Sequence, residues 1–417
     1  MVMFQEMAMR DDQDENLKSQ EHTKGVKYLY EIGVTKVPKK YILPALERPK
    51  NSLSMKPCDV TNLKLPVIDF AQLHGPNHEL VVTSLAHACQ NYGFFQVINH
   101  GISSDMISKM IDVARRFFEF PLKEREKYMS TDIHSLVRYG TSFNQMNDGV
   151  FCWRDFLKLV CASEAHSHWP SSPSDFREIV VGYARETKLL FQSLLEAIIE
   201  SLGSEGQNKH NKTAKTKQDF GKDKHGNGKE NNYDNIKRDM ENGSQLMVVN
   251  CYPPCPEPDL TFGMPPHSDY GFLTLLLQDE VEGLQILHKD HWVTIQPRPH
   301  SFVVNIGDHL EIFSNGRYKS VMHRVLANSM KSRISVASLH SLPFTEVVRP
   351  WPKLINEENP KRYKDTNFAD FVQYIRCIGG CDDILMEIME ISGAGHCTSS
   401  SIPGVTKKGE MQAYQKS

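Results

Sequence analysis

Pro265-Pro266-His267-Ser268-Asp269-Tyr270-Gly271-Phe272-Leu273-Thr274-Leu275-Leu276-Leu277 is the stretch on which the reading of this chain turns. It sets an H-x-D triple just before a run of apolar strand formers. Side chains at i and i+2 of a strand point to one face. His267 and Asp269 are therefore expected to project together into the inside of a sheet. A second imidazole, His323, follows 56 positions after the first, in Ser320-Val321-Met322-His323-Arg324-Val325, which alternates as a strand does. Two imidazoles and one carboxylate on one side of a metal form a facial triad, a ligand set suited to iron(II) with three coordination positions left open. His267, Asp269 and His323 are thus the expected metal ligands and catalytic centre.

H-x-D alone is a common accident in a chain with 18 His and 51 acidic residues. An isolated strand histidine such as His323 more often bonds a backbone carbonyl than a metal. The joint pattern outweighs both bland readings. Ten and twelve positions after His323 come Arg333 and Ser335, in Ser332-Arg333-Ile334-Ser335. If that segment is a strand, both face the same side as each other.

Further motifs extend the pattern. They include Leu65-Pro66-Val67-Ile68-Asp69-Phe70, Asn91-Tyr92-Gly93-Phe94-Phe95-Gln96-Val97-Ile98-Asn99-His100-Gly101, Asn250-Cys251-Tyr252-Pro253-Pro254-Cys255 and Ser338-Leu339-His340-Ser341-Leu342-Pro343-Phe344. With these the sequence resembles the plant 2-oxoglutarate- and iron(II)-dependent dioxygenases. That family includes flavanone 3-hydroxylase, flavonol synthase, anthocyanidin synthase and several hormone-modifying oxygenases. The resemblance runs from about residue 25 to 375, with one interruption. It implies Fe(II), 2-oxoglutarate and O2, with ascorbate as reductant. It also implies that Arg333 and Ser335 anchor the distal carboxylate of 2-oxoglutarate, joined by the Tyr252 hydroxyl and by Asn250. A planar two-pronged guanidinium suits a carboxylate better than an ammonium does. Tyr139, Phe143, Phe151, Phe272 and Phe344 stand where relatives line the substrate pocket, although each aromatic is equally suited to a core. Trp153-Arg154-Asp155 reads as packing. No residue distinguishes a flavonoid from another small aromatic or a terpenoid, or hydroxylation from desaturation.

The expected fold is α+β, mainly β: a double-stranded β-helix, or jelly roll, backed by helices. Short strands are expected at 246–252, 272–277, 284–288, 291–295, 301–305, 319–327 and 332–340, punctuated by Gly283, Gly307 and Asn315-Gly316. Upstream, strands are expected at 67–70 and 94–98 and helices at 78–91, from Asp105, and from Pro173 to Leu202. The stripe of the last is Ile179, Tyr183, Leu190, Leu194, Ala197 and Ile198. The chain then divides as follows: a disordered N-terminus over 1–24; a helix-and-strand region over 25–202; a Lys/Asn/Gly-rich insertion over 203–244, read as a solvated connection; the catalytic jelly roll over 245–345; and a C-terminal helix with a divergent tail over 346–417. Cys377, Cys381, His396 and Cys397 have a spacing atypical of structural zinc.

A net charge of -3 gives no reason to expect nucleic acid or an acidic membrane as partner. No apolar run reaches a membrane span. The acidic N-terminus lacks a signal-peptide core and is unlike a transit peptide. Nine scattered cysteines suit a reducing compartment. The expectation is a cytoplasmic monomer, with the nucleus also open to it, acting on a small molecule. Two other functions fit parts of the pattern: an ascorbate-dependent oxidase working without 2-oxoglutarate, as in aminocyclopropane carboxylate oxidases, and a silent small-molecule binder on the same scaffold. The intact triad argues against the binder.

Overall fold

The computed structural model describes residues 24–49, 64–142, 148–204 and 238–367. The insertion, the Cys/His-bearing tail and Phe143 therefore lie largely or wholly outside the described residues. The helices are α1 Val26–Glu31, α2 His78–Asn91, α3 Ser104–Glu119, α4 Leu122–Arg125, α5 Phe176–Ser204 and α6 Asp308–Phe313. The strands are β1 Val67–Asp69, β2 Phe94–Ile98, β3 Val137–Gly140, β4 Asp155–Val160, β5 Ser244–Tyr252, β6 Phe262–His267, β7 Leu273–Gln278, β8 Leu284–His288, β9 His291–Thr294, β10 Phe302–Ile306, β11 His323–Leu326 and β12 Arg333–Ser341.

Two sheets form. One has eight strands in the order β1-β2-β10-β7-β12-β5-β4-β3, and the other has four in the order β6-β11-β8-β9. All pairings are antiparallel except β1 with β2. The sheets are not joined by hydrogen bonds into a closed barrel. Consecutive strands β5, β6 and β7 alternate between them, so the chain repeatedly crosses the gap. β12 is central, pairing over its whole length with β5 and over six residues with β7.

Helices seal one face of the larger sheet. α3 starts at Ser103, whose Oγ accepts from the Met106 N–H at 3.1 Å. Its Ile107, Met110, Val113, Ala114, Phe117 and Phe118 recur at helical spacing and are all buried. On α5 the whole anticipated stripe is buried, with Tyr183, Leu194 and Ile198 fully enclosed. These residues, with α2, pack against Leu157, Leu159, Met247, Val249, Leu275, Leu277 and Val336 of the sheet. Burying a side chain of this size contributes roughly 1.5–3 kcal/mol. The opposite face looks toward the smaller sheet, and a second apolar cluster of Phe94, Leu284, Ile286, Ile295 and Val303 joins the two.

Strands β3, β4 and β6 fall outside the strand ranges expected from the sequence, and helices α4 and α6 outside the expected helices. β4 does not alternate, and Lys158 interrupts its apolar run. β3 is only four residues long and exists because β4 pairs with it.

Candidate active site

His267 is the last residue of β6, and His323 is the first of β11. The two are direct cross-strand partners, an arrangement that places side chains within contact of each other. Their ring centroids lie 4.1 Å apart. Asp269 is positioned differently from the expectation. The strand ends at His267, and Ser268 to Phe272 lie outside any ladder. The reason is topological: β6 belongs to the four-stranded sheet and β7 to the eight-stranded one. The H-x-D segment is the crossing between sheets, so the i, i+2 rule of a pleated strand does not operate there.

The crossing is instead fixed by α6. The backbone carbonyls of Asp269, Gly271 and Phe272 accept from the N–H groups of Asp308, His309 and Gly307 at 2.8, 2.9 and 3.0 Å. Helix-terminal donors that need partners thereby receive them from the turn. Gly307 permits this contact, because a Cβ there would lie 2.4 Å from the Gly271 carbonyl oxygen. Gly271 has φ of +97°, a conformation that favours glycine.

The result is a compact donor set. One ligand atom from each of His267, Asp269 and His323 lies within 4.8 Å of the others. Asp269 Oδ1 is 3.7 Å from Nε2 of His267 and 3.7 Å from Nε2 of His323. The remote nitrogens are engaged elsewhere, with His267 Nδ1 2.9 Å from the Pro265 carbonyl and His323 Nδ1 3.2 Å from that of Val321. Donation to those carbonyls leaves both Nε2 lone pairs turned inward, as a metal requires. Burial, reinforced by the neighbouring His323, holds the His267 imidazole far below its usual range, so it is a neutral donor. Burial alone would raise Asp269. The facing His323 and His267 and the Asn305 amide outweigh it and keep the carboxyl below the usual range. The set matches an octahedral metal bound on one face.

A second polar cluster lies on β5, β7 and β12. Arg333 is opposite Tyr252, and Ser335 is opposite both Asn250 and Gln278. Arg333 is 2% exposed. Its Nε donates to the Val281 carbonyl at 3.1 Å and its Nη2 to Gln278 Oε1 at 2.9 Å, and its guanidinium carbon is 5.1 Å from the Tyr252 ring centroid. Arg333 Nη1 and Gln278 Nε2 are buried without a partner. Two such donors side by side carry a desolvation cost of about 1–3 kcal/mol each, and a carboxylate removes it. Asn250 Nδ2 reaches Ser335 Oγ at 3.4 Å. The donors fit the distal carboxylate of a 2-oxoacid.

Three of the aromatic residues anticipated around a substrate, Tyr139, Phe151 and Phe272, pack into apolar cores. Tyr139 faces the helices, fully buried, and its hydroxyl donates to Asp155 Oδ2 at 2.6 Å. Phe151 belongs to a small separate core, edge-on to Tyr41 with centroids 5.7 Å apart. Phe272 packs on Phe313 in the helix-facing core, centroids 5.7 Å apart. A short strand or loop carries no signal telling its two faces apart, which is why sequence placed these three at the pocket. Phe344 is partly buried in the turn after β12.

Sequence reading missed Asn305, whose Nδ2 donates to Asp269 Oδ2 at 2.9 Å. The available signal was a lone amide in the apolar run Phe302-Val303-Val304-Asn305-Ile306. Gln278 and Arg154 were also missed as site residues.

Comparison with known proteins agrees with this geometry. Residues 243–341 match the model of the 2OG-Fe(II) oxygenase superfamily, and residues 65–176 match the non-haem dioxygenase in morphine synthesis N-terminal model. The chain belongs to the 2OG-Fe(II) oxygenase superfamily. It is 38% identical to protein DMR6-LIKE OXYGENASE 2 of Arabidopsis thaliana over 344 residues, covering 82% of this chain and 90% of that one. It is 37% identical to flavanone 3-dioxygenase 2 of Oryza sativa subsp. japonica over 338 residues, 80% and 89% of the two chains. The crystal structure of JOX2 in complex with 2OG, Fe and JA superposes with a TM-score of 0.72 at 29% identity, over 88% of this chain and 97% of that one. The protein is thus an oxidoreductase using Fe(II), 2-oxoglutarate and O2 on a small molecule. Its jelly-roll architecture and family are those the motifs implied. Among the described residues, no helix is long and apolar enough to cross a membrane.

Proposed function

We propose that this dioxygenase hydroxylates or desaturates a small specialised metabolite, or a hormone, with His267, Asp269 and His323 as the iron ligands. The observation that carries this is the inward convergence of two imidazole Nε2 atoms on one carboxylate oxygen, with both remote nitrogens tied to backbone. Arg333, Gln278 and Ser335 receive the distal carboxylate of 2-oxoglutarate, and Tyr252 flanks the guanidinium. When bound, the iron supplies dioxygen activation, coupled to conversion of 2-oxoglutarate to succinate and carbon dioxide. The protein's own contribution is orientation and exclusion of water. The crossing turn presents Asp269, the paired strands present the histidines, and the two facing sheets enclose the chemistry.

The relatives named for flavanone oxidation support a flavonoid-like substrate among the candidates. Ascorbate is the reductant we propose, and a cytoplasmic monomer, acting without nucleic acid or membrane, is the form we propose. The test is incubation of purified protein with Fe(II), ascorbate, 2-oxoglutarate and a plant metabolite extract. One compound should gain oxygen or lose two hydrogens with one succinate released per turnover. Turnover without succinate would replace this reading with the ascorbate-dependent oxidase.

A further inference from the structure

Phe156 on β4, Asn250 on β5, Ser335 on β12 and Gln278 on β7 form one row across the larger sheet, each opposite the next. Tyr252 and Arg333 form a second row, two residues along their strands. Residues two apart on a strand share a face, so the polar cluster around Arg333 and the Asn250–Ser335 pair belong to one surface. Arg154 stands at its border, two positions before Phe156, with its guanidinium carbon 5.0 Å from the Phe156 ring centroid. It is 5% exposed. Its Nη1 donates to Asn250 Oδ1 at 3.2 Å and to Met264 Sδ of β6 at 3.1 Å, so it bridges the two sheets. Its Nε is buried without a partner. A buried cation held only by neutral acceptors is an expensive way to stabilise a fold, which points to another role.

That role follows from the direction of the hydrogen bonds. An arginine side chain offers donors and no acceptor, whereas an amide offers one end of each kind. Donation from Arg154 therefore turns the oxygen end of the Asn250 amide toward the arginine and its nitrogen end away. Asn250 Nδ2 lies 3.4 Å from Ser335 Oγ and 3.3 Å from the Val248 carbonyl, and it donates to both. Ser335 thus accepts from Asn250, and its own proton is not spent there. Ser335 is 1% exposed and Asn250 4%, so water does not compete for these bonds. With the amide reversed, Oδ1 would take the serine proton and face the Val248 carbonyl. Ser335 would then present only lone pairs to an incoming carboxylate, and the two would repel.

We propose that Arg154 is a positioning residue for the co-substrate: through the Asn250 amide it turns the Ser335 hydroxyl proton toward the distal carboxylate of 2-oxoglutarate. The serine proton then joins Arg333 Nη1 and Gln278 Nε2, the two buried donors without partners, in a set of three. Arg154 itself does not touch the carboxylate; its effect passes along the chain Arg154, Asn250, Ser335. This assignment rests on the 2-oxoglutarate-dependent reading above and adds a fourth strand, β4, to the elements that shape that site.

The experiment is a double-mutant cycle read by calorimetric titration of 2-oxoglutarate into the full chain at saturating Mn(II). Ser335→Ala should weaken 2-oxoglutarate binding about tenfold, the size of one hydrogen bond to a charged group. Arg154→Met should weaken it about fivefold, because the Val248 carbonyl still favours the working orientation of the amide. The double variant should bind within about twofold of Ser335→Ala alone, since the arginine has nothing left to act on once the hydroxyl is gone. Arg154→Lys, which keeps a charge that only donates, should stay within about twofold of the unaltered protein. Unchanged affinity in Arg154→Met overturns the proposal. So do losses that simply add in the double variant, which would mean that the arginine acts on the carboxylate by its charge or through the fold at large. If Arg154→Met does not fold, Asn250→Ala takes its place in the cycle, and either no loss or a loss that persists in the Ser335→Ala background overturns the chain. Failure of the unaltered protein to bind 2-oxoglutarate would instead remove the functional reading beneath it.

Discussion

Asn305 donates from Nδ2 to Oδ2 of Asp269 at 2.9 Å, while the other oxygen, Oδ1, sits 3.7 Å from Nε2 of both histidines. The amide thus selects which carboxylate oxygen faces the imidazoles. Asn305 reaches this position from β10, where it lies opposite Thr274 of β7 and Phe94 of β2. A strand of the other sheet, unrelated to the histidine pair, therefore holds the third ligand in place.

Asn305→Ala should weaken metal binding by about 10- to 100-fold, the usual effect of losing an outer partner of a ligand. Titration with Mn(II), monitored by calorimetry, checks this, and circular dichroism confirms the fold. Unchanged metal affinity would show that the α6 contacts to the turn suffice to hold Asp269.

Arg333→Gln should raise the 2-oxoglutarate dissociation constant by about 10- to 100-fold, since hydrogen bonds to a charged group are each worth about 1.5–3 kcal/mol. Arg333→Lys should recover little, because a point charge cannot reproduce the fork held between Val281 and Gln278. Metal affinity measured in parallel should be unaffected. A normal 2-oxoglutarate affinity in both variants would assign its carboxylate to another cation.

The metal ligands were legible in the sequence because ligand identity is chemistry. His267, Asp269, His323 and the Arg333 and Ser335 pair are recognisable by type and order alone. The strands that carry His323, Arg333 and Ser335, β11 and β12, were legible because their residues alternate or run apolar, whereas β6, which carries His267, was not. The route to the geometry was not legible. Asp269 was expected on a strand and lies in a crossing, since sequence shows that strands end but not which sheet receives the next one. Tyr139 and Phe151 were misplaced for a related reason: an aromatic ring declares that it will be buried without declaring on which face. Asn305 and Arg154 escaped because a single buried polar residue acquires meaning only from the partner the topology brings to it.

Tyr139→Phe tests its placement directly. The hydroxyl donates to Asp155 and accepts from Arg125 Nη1 at 3.0 Å. Asp155 also accepts from the backbone of Val26 and Lys27 at 2.7 and 3.0 Å, and Arg125 pairs with Glu31, so the cluster fastens α1 to the sheet. Removing the hydroxyl should cost about 1–3 kcal/mol and lower Tm by roughly 2–4 °C for each kcal/mol. The KM for substrate should not change. A raised KM with unchanged Tm would return Tyr139 to the pocket.

Two buried histidines away from the metal ligands set an acid limit on stability. His309 Nδ1 lies 2.7 Å from Ser341 Oγ, and His340 stacks on Phe191 with centroids 4.5 Å apart. Burial brings each imidazole down to about 3, with Lys188 adding slightly at His340. Above the unfolded value of about 6.5 both states are neutral and stability does not depend on these groups. Below it the unfolded chain takes up protons that the folded chain refuses until about 3. Stability therefore falls as pH drops through that window, by about 1.4 kcal/mol per pH unit for each histidine. Urea unfolding from pH 7.5 to 5 should show this slope. His340→Gln keeps a polar side chain that does not titrate, so it should lower stability at pH 7.5 while making the decline toward pH 5 shallower by one proton. An unchanged slope in both His340→Gln and His309→Gln would show that the acid sensitivity arises elsewhere in the fold.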